Sequence, residues 1–240
     1  MSYLWHQISS AVTLIVHGDH YLMGLLSVTA RLAVVSTGAA LIIGLPMGAA
    51  LGLGRFRGRR ALQVLANASL ALPPVVVGVV LLIFILPQGP LGSLRIEFTL
   101  NAMYVAQTIL ALPYLVALTA AAIQGLPPGV VEQARALGAS RIQLAVLALR
   151  EAKIGVLAAI IAAATSTISE VGAVVIVGGN VTGHTESLAS ALLAEFTYTP
   201  NDPRETATAI LLLVLVLGLV GTLTVLQQRT GRLRLRFREG

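Results

Sequence analysis

Five long apolar stretches, each set off from the next by a short polar or basic segment, constrain this chain more than any other feature. They run from about Met23 to Gly52, Ala61 to Leu86, Leu100 to Ile123, Ile154 to Gly179 and Pro203 to Leu226. Crossing a hydrocarbon core takes about 20 apolar residues in a helix, and each stretch supplies them. Only 11% of the 240 residues are charged and 56% are hydrophobic, whereas a soluble domain carries about 25% charge. The expected fold is an all-α integral membrane domain of about five transmembrane helices over residues 21–228. An outer interfacial segment, 1–20, precedes it, and a basic tail, 229–240, follows. The mixed run Ser2–His17 is expected to lie on the membrane surface rather than to form a sixth span. No Lys or Arg precedes the first apolar stretch, so a cleavable signal peptide is not expected.

An odd number of crossings puts the termini on opposite sides, and the arginines choose the sides. Arg55, Arg57, Arg59 and Arg60 lie between the first two stretches. Arg135, Arg141, Arg150 and Lys153 lie between the third and fourth, and Arg229, Arg232, Arg234, Arg236 and Arg238 follow the fifth. Thirteen of the 16 basic residues thus fall on one side, which the positive-inside rule makes cytoplasmic. The N-terminus is then outside and the C-terminus inside. The net charge of +6 reads as a topology signal and tail anchor at the anionic leaflet, not as a nucleic-acid surface.

Several motifs carry little. Cysteine is absent, which excludes disulfides and thiolate metal sites. Gly178-Gly179-Asn180-Val181-Thr182-Gly183-His184-Thr185 has phosphate-loop spacing, but His184 stands where the loop needs lysine. The same topology puts that segment outside, away from ATP. His17, Asp19 and His20 cluster without the spacing of a closed ligand set and read as an interfacial turn, with no metal. Gly44, Gly48 and Gly52 form a small-residue stripe suited to close helix packing or to a subunit contact. No arrangement of catalytic side chains suggests an enzyme, and no cofactor is expected.

The cytoplasmic connector, about residues 124–152, is more informative. Pro127 and Pro128 end one helix or begin another. Glu132 suits the first turn of a new helix, Gly138 supplies a left-handed ending, and Ser140 caps the helix after it. Two short helices joined at a glycine corner make an exposed knob suited to a partner's groove. Glu132-Gln133-Ala134, three residues, then Gly138 resembles the EAA loop of ABC importer permeases. The resemblance implies a type I importer-like core whose coupling helix, Glu132, Gln133, Ala134, Leu137 and Gly138, docks on a cytoplasmic ATP-binding subunit. Two departures stand out: Gln133 replaces the usual alanine, and Arg150-Glu151-Ala152 replaces the usual closing proline.

The fourth stretch contains Ser166, Ser169 and Glu170, at spacings that place them on one face of a continuous helix. An acidic residue at membrane depth is costly and functional by default, so these residues, with Gly172, are read as a pathway or gate. A structural hydrogen bond is the alternative. Ser169-Glu170-Val171-Gly172-Ala173 resembles the signature of oxyanion permeases for molybdate, tungstate and sulfate. Ala71-Leu72-Pro73-Pro74-Val75-Val76-Val77-Gly78 matches a second pattern of that group, with Pro73 and Pro74 as a helix break. The string through Val175-Ile176-Val177-Gly178-Gly179-Asn180 is closest to tungstate permeases. The resemblance implies a homodimer, two ATP-binding subunits and an extracytoplasmic oxyanion-binding protein in a prokaryotic inner membrane. An ion-gradient-driven transporter is the rival, but it would need two related halves with paired broken helices, and no internal repeat is visible. A membrane scaffold is a second rival and leaves Ser166 and Glu170 unexplained.

Overall fold

The computed structural model describes residues 2–199 and 202–236, without the side chains of 2–4 and 229–236. Among the described residues all regular structure is helical. The helices are α1 (Ser2–Val16), α2 (His20–Leu53), α3 (Arg59–Ser69), α4 (Pro74–Ile85), α5 (Leu100–Gln124), α6 (Val130–Ala136), α7 (Arg141–Glu151), α8 (Lys153–Ser169), α9 (Gly172–Gly178), α10 (Leu188–Tyr198) and α11 (Pro203–Arg236). Three are long and apolar enough to cross a membrane: α2, α5 and residues 203–228 of α11. Two bent pairs, α3–α4 and α8–α9, bring the number to five if each is one span.

Two of the expected spans are therefore broken. The chain turns by 103° between α3 and α4. Pro73 and Pro74 lack the amide hydrogens that would carry α3 onward, and Pro73 instead caps α4 from an extended conformation. Composition separates the halves as well. α3 mixes Arg59, Arg60, Gln63 and Asn67 with leucines and buries nothing, whereas α4 is apolar throughout. The second break is a 56° bend between α8 and α9. The fifth expected span ends late rather than early: α11 runs on past Leu226 to Arg236. The tail reading of residues 229–240 concerns side chains that lie outside the described residues.

The chain forms two compact units. One comprises residues 37–72, 108–164 and 220–236. Its α2 and α5 segments pack through the glycine stripe. A β-carbon on Gly44, Gly48 or Gly52 would fall 2.7, 2.8 or 2.9 Å from the β-carbons of Leu115, Thr119 and Ile123. Both partners repeat every four residues, so the two ridges mesh along their length. The stripe thus serves packing within the chain. Fully buried Ala40, Ala111, Leu115, Ala159 and Ala163 continue this small-residue core. Ala148 and Ala152 seat the end of α7 beside Ala49 and Ile123. Arg59 closes the C-terminus of α2, its Nε donating to Leu51 O at 2.8 Å and its guanidinium to Gly52 O at 3.2 Å. A cation there suits the negative end of the helix dipole.

The other unit comprises residues 2–36, 73–107, 165–199 and 202–219. α1 has 15 residues, about 22 Å at 1.5 Å per residue, too short for a core of about 30 Å. It packs through fully buried Ala11 against Leu22 and Ala207. Asp19 caps α2, accepting from Tyr21 N at 3.0 Å and Leu22 N at 3.2 Å. It also faces Arg204 at 3.6 Å. The His17–His20 turn is therefore organised around a helix cap. α10 docks on α2 through Leu188, Ala191 and Leu25, and buried Thr29 accepts from Leu188 N at 2.9 Å. The Glu195 face of α10 is buried while Phe196 is 68% exposed. At the start of α11, Asp202 accepts from Arg204 N at 2.8 Å, and Pro203 takes the first turn.

Candidate functional site

The connector folds as its local signals dictate. Gly129, at φ +95°, caps α6, and Gln133 N donates to Gly129 O at 2.8 Å. Glu132 lies in the first turn and Arg135 in the last, each at the dipole end that suits its charge. Gly138 adopts φ +85°, a conformation that costs a side chain-bearing residue about 1–2 kcal/mol. The turn is closed by Gly138 N to Arg135 O and Ala139 N to Ala134 O, both at 3.0 Å. Ser140 then starts α7 with a reciprocal cap: Ser140 N donates to Gln143 Oε1 at 2.7 Å, and Gln143 N donates to Ser140 Oγ at 3.3 Å. α7 stops at Glu151, and Ala152 separates it from α8, so the connector and the fourth span are distinct helices. Glu132 and Gln133 carry the outward face of α6, and Ala134 is half-buried. At the corner, Leu137 is 89% exposed and Ile142 77%. The corner thus presents two large apolar side chains to solvent beside the charged face of α6. Arg55 reaches Glu132 at 3.6 Å with both side chains largely exposed, a pair worth about 0–1 kcal/mol.

The residues read as pathway or gate do not share one helical face. α8 ends at Ser169, and Glu170 and Val171 form the break before α9. Glu170 Oε1 accepts from Ala173 N at 3.3 Å, so its carboxylate occupies a backbone donor that the broken helix leaves open. Ser169 is exposed, while Ser166 and Glu170 are half-buried. Period-3.6 spacing holds only while the helix continues, and this helix stops at Ser169.

The two breaks meet. A β-carbon on Gly172 would sit 2.5 Å from Val75 Cγ2, and one on Gly78 would sit 2.8 Å from the Ala173 α-carbon. Glycine at both positions lets α9 lie directly on α4, just after Pro73 and Pro74. Interrupted backbone at membrane depth is tolerated only where protein or a water-filled path satisfies it.

The phosphate-loop-like segment is folded on itself. Thr185 Oγ1 donates to Gly178 O at 2.6 Å and accepts from Val181 N at 2.9 Å. Gly179, Asn180 and Gly183 take positive φ. The next helix begins only at Leu188, so no helix N-terminus follows where a phosphate loop needs one.

Sequence reasoning missed two groups. Glu186 and Glu195 are 5% and 8% exposed and sit against Tyr21. Thr208 Oγ1 donates to Glu195 Oε1 at 3.3 Å. Each carboxylate keeps one oxygen without a hydrogen bond among the described residues. Burial raises both pKa values above the ordinary glutamate range. The second group is Gln107 in α5, fully buried, with neither amide atom hydrogen-bonded among the described residues. Its signal in the sequence is an amide in the interior of an apolar stretch, seven residues past the start of α5.

The profile of the family described as "Binding-protein-dependent transport system inner membrane component" matches residues 41–231. A probable anion ABC transporter permease protein of Haloferax volcanii is 39% identical over 209 residues, covering 84% of this chain and 90% of its own. The tungstate uptake system permease protein TupB of Peptoclostridium acidaminophilum is 29% identical, covering 80% and 84%. The sulfate transport system permease protein CysT of Salmonella typhimurium is 30% identical, covering 80% and 71%. Among solved structures, an inward-facing MetNI methionine ABC transporter superposes with a TM-score of 0.71 at 21% identity, covering 88% of this chain and 96% of the other. That likeness establishes the fold. Family membership also removes the ion-gradient-driven rival. The chain belongs to the binding-protein-dependent transport system inner membrane component family: it is a multi-pass inner-membrane permease subunit of an ABC importer, and ATP is hydrolysed on a separate subunit.

Proposed function

We propose that this permease carries a tetrahedral oxyanion, tungstate first, into the cytoplasm, with α6 coupling ATP hydrolysis to the opening of the path. One observation carries the coupling assignment: the glycine-cornered knob at Glu132–Gly138 holds Leu137 almost fully in solvent. The thirteen basic residues on the same side as this knob support a cytoplasmic position for it and for the C-terminus, with residues 1–20 outside. Two copies pair around a central path, because closed twofold dimers are the commonest oligomer. Two ATP-binding subunits dock on the α6 knobs. A binding protein delivers the anion at the outer face, and most of the selectivity resides there. A dianion cannot enter hydrocarbon because of its desolvation cost. Enclosure between the two subunits, with alternating access, removes that barrier. Ser166, Ser169, Glu170 and Gly172, with the break at Pro73–Pro74, form the gate in this scheme.

Several relatives are named for anions. Tungstate is favoured by the resemblance of the string Ser169–Asn180 to tungstate permeases. Sulfate or molybdate is the second reading, because the relatives named for sulfate and for tungstate stand at 30% and 29% identity. The test is cell-associated tungsten, molybdenum and sulfur in a deletion strain and its complemented parent, each oxyanion supplied at low concentration, alone and in competition. Loss of tungsten alone supports tungstate. Loss of molybdenum or sulfur uptake instead changes the substrate and keeps the mechanism. Unchanged uptake of all three in a strain without a second system contradicts the oxyanion assignment.

A further inference from the structure

A groove of about 930 Å³ runs between the C-terminal half of α2 and α7. Its volume falls near the top of the usual range for small-molecule sites, about 300–1,000 Å³. The walls are apolar: Ile42, Pro46 and Leu53 on α2, Val146 and Leu149 on α7. Its mouth carries Arg55, Arg135 and Arg141. Of these three arginines only Arg55 has a carboxylate within 4 Å among the described residues, Glu132 at 3.6 Å, so the mouth keeps two unneutralised guanidinium groups. Ile42 is 77% exposed and Val146 42%, so the apolar walls lie open. An apolar slot between the C-terminal half of the membrane helix α2 and the connector helix α7, with a cluster of positive charge at its arginine-rich end, has the two-part chemistry of a phospholipid with an anionic headgroup.

We propose that this groove binds one anionic phospholipid of the inner leaflet. Its acyl chain lies between Pro46 and Leu149, and its phosphate sits at Arg135 and Arg141. The fork geometry of arginine suits a phosphate ester better than a point charge does. Arg135 belongs to α6, so the headgroup braces the base of the docking knob. The weak Arg55–Glu132 pair lies at the same mouth, and a phosphate there competes with Glu132 for Arg55. The inference rests on the cytoplasmic placement of the arginine loops and is independent of which oxyanion is carried.

The test is native mass spectrometry of the assembled permease–ATPase complex from nanodiscs of equal phosphatidylglycerol and phosphatidylcholine. The expected result is retained phosphatidylglycerol in preference to phosphatidylcholine, at one per permease chain. Retention falls about tenfold or more in Arg135→Gln/Arg141→Gln. Val146→Trp, which fills the slot without changing charge, loses the lipid too. Arg57→Gln/Arg60→Gln serves as control, since those arginines neighbour Arg55 in sequence but do not line the groove, and it retains the lipid. Equal loss in both arginine pairs, equal retention of phosphatidylcholine, or full retention in Val146→Trp overturns the proposal. Displacement of the lipid by millimolar inorganic phosphate overturns it as well, since the site would then hold a free anion.

Discussion

Gly78 on α4 and Ala173 on α9 approach so closely that a β-carbon on Gly78 would lie 2.8 Å from the Ala173 α-carbon. The contact meets backbone, so no rotamer relieves it. It locks together the two half-helices that follow the Pro73–Pro74 and Glu170 breaks. Gly78→Val should cost about 1–3 kcal/mol of stability by overpacking and abolish uptake. Gly38 should tolerate alanine, because a β-carbon there would meet nothing within 4 Å. Thermal unfolding of the purified variants, alongside uptake, checks both.

Glu170 offers a cleaner separation of charge from structure. Gln keeps an oxygen that accepts from Ala173 N, whereas Ala removes it. Glu170→Ala should lower stability by about 0.5–2 kcal/mol, as loss of a helix cap does. Glu170→Gln should stay within about 0.5 kcal/mol of wild type yet impair uptake. Normal uptake in Glu170→Gln assigns the carboxylate to structure alone.

The buried pair Glu186 and Glu195 predicts the pH dependence of stability. Burial raises both pKa values above the ordinary 4.5. Above that value the unfolded chain releases protons that the folded chain still holds, so stability falls as pH rises from about 4.5 through the raised values. Melting in detergent between acid and neutral pH should show this decline. Glu186→Gln/Glu195→Gln should flatten the curve and melt higher at neutral pH.

The parts of the fold visible in the sequence are those set by neighbours along the chain. Gly138 and Ser140 mark a corner because a left-handed residue and an N-cap act within one turn. Asp202 and Pro203 mark the start of α11 for the same reason. The apolar runs reveal membrane helices because hydrophobic length is a local property. Helical spacing misplaces Glu170 because its break depends on α4 packing against Gly172, a contact about 100 residues away in sequence. Glu195 reads as a surface residue in the sequence because its burial depends on Tyr21 and Thr208. Pro73 and Pro74 signal the break between α3 and α4. They do not signal the size of the turn, which depends on α3 being amphipathic and α4 apolar throughout.

Leu137 tests docking with the least disturbance, because it is 89% exposed and its removal opens no cavity. Leu137→Asp should leave the melting temperature unchanged and reduce co-purification of the ATPase at least tenfold, since a buried unpaired charge at an interface costs several kcal/mol. Undiminished co-purification places the ATPase contact elsewhere on the chain.

The most direct measurement of coupling through α6 is ATP-driven accumulation of the transported oxyanion, tungstate under the proposed function, in proteoliposomes holding the permease, its ATPase and its binding protein, compared for wild type, Gly138→Asn and Gly138→Val. Gly138 has open space around a β-carbon but a φ of +85°, so only backbone conformation is at stake. Asparagine tolerates that conformation and a β-branched residue does not. Coupling through this corner predicts near-normal accumulation in Gly138→Asn. In Gly138→Val it predicts loss of accumulation and of substrate-stimulated ATP hydrolysis, with the permease still inserted in the membrane. Full accumulation in Gly138→Val would contradict it.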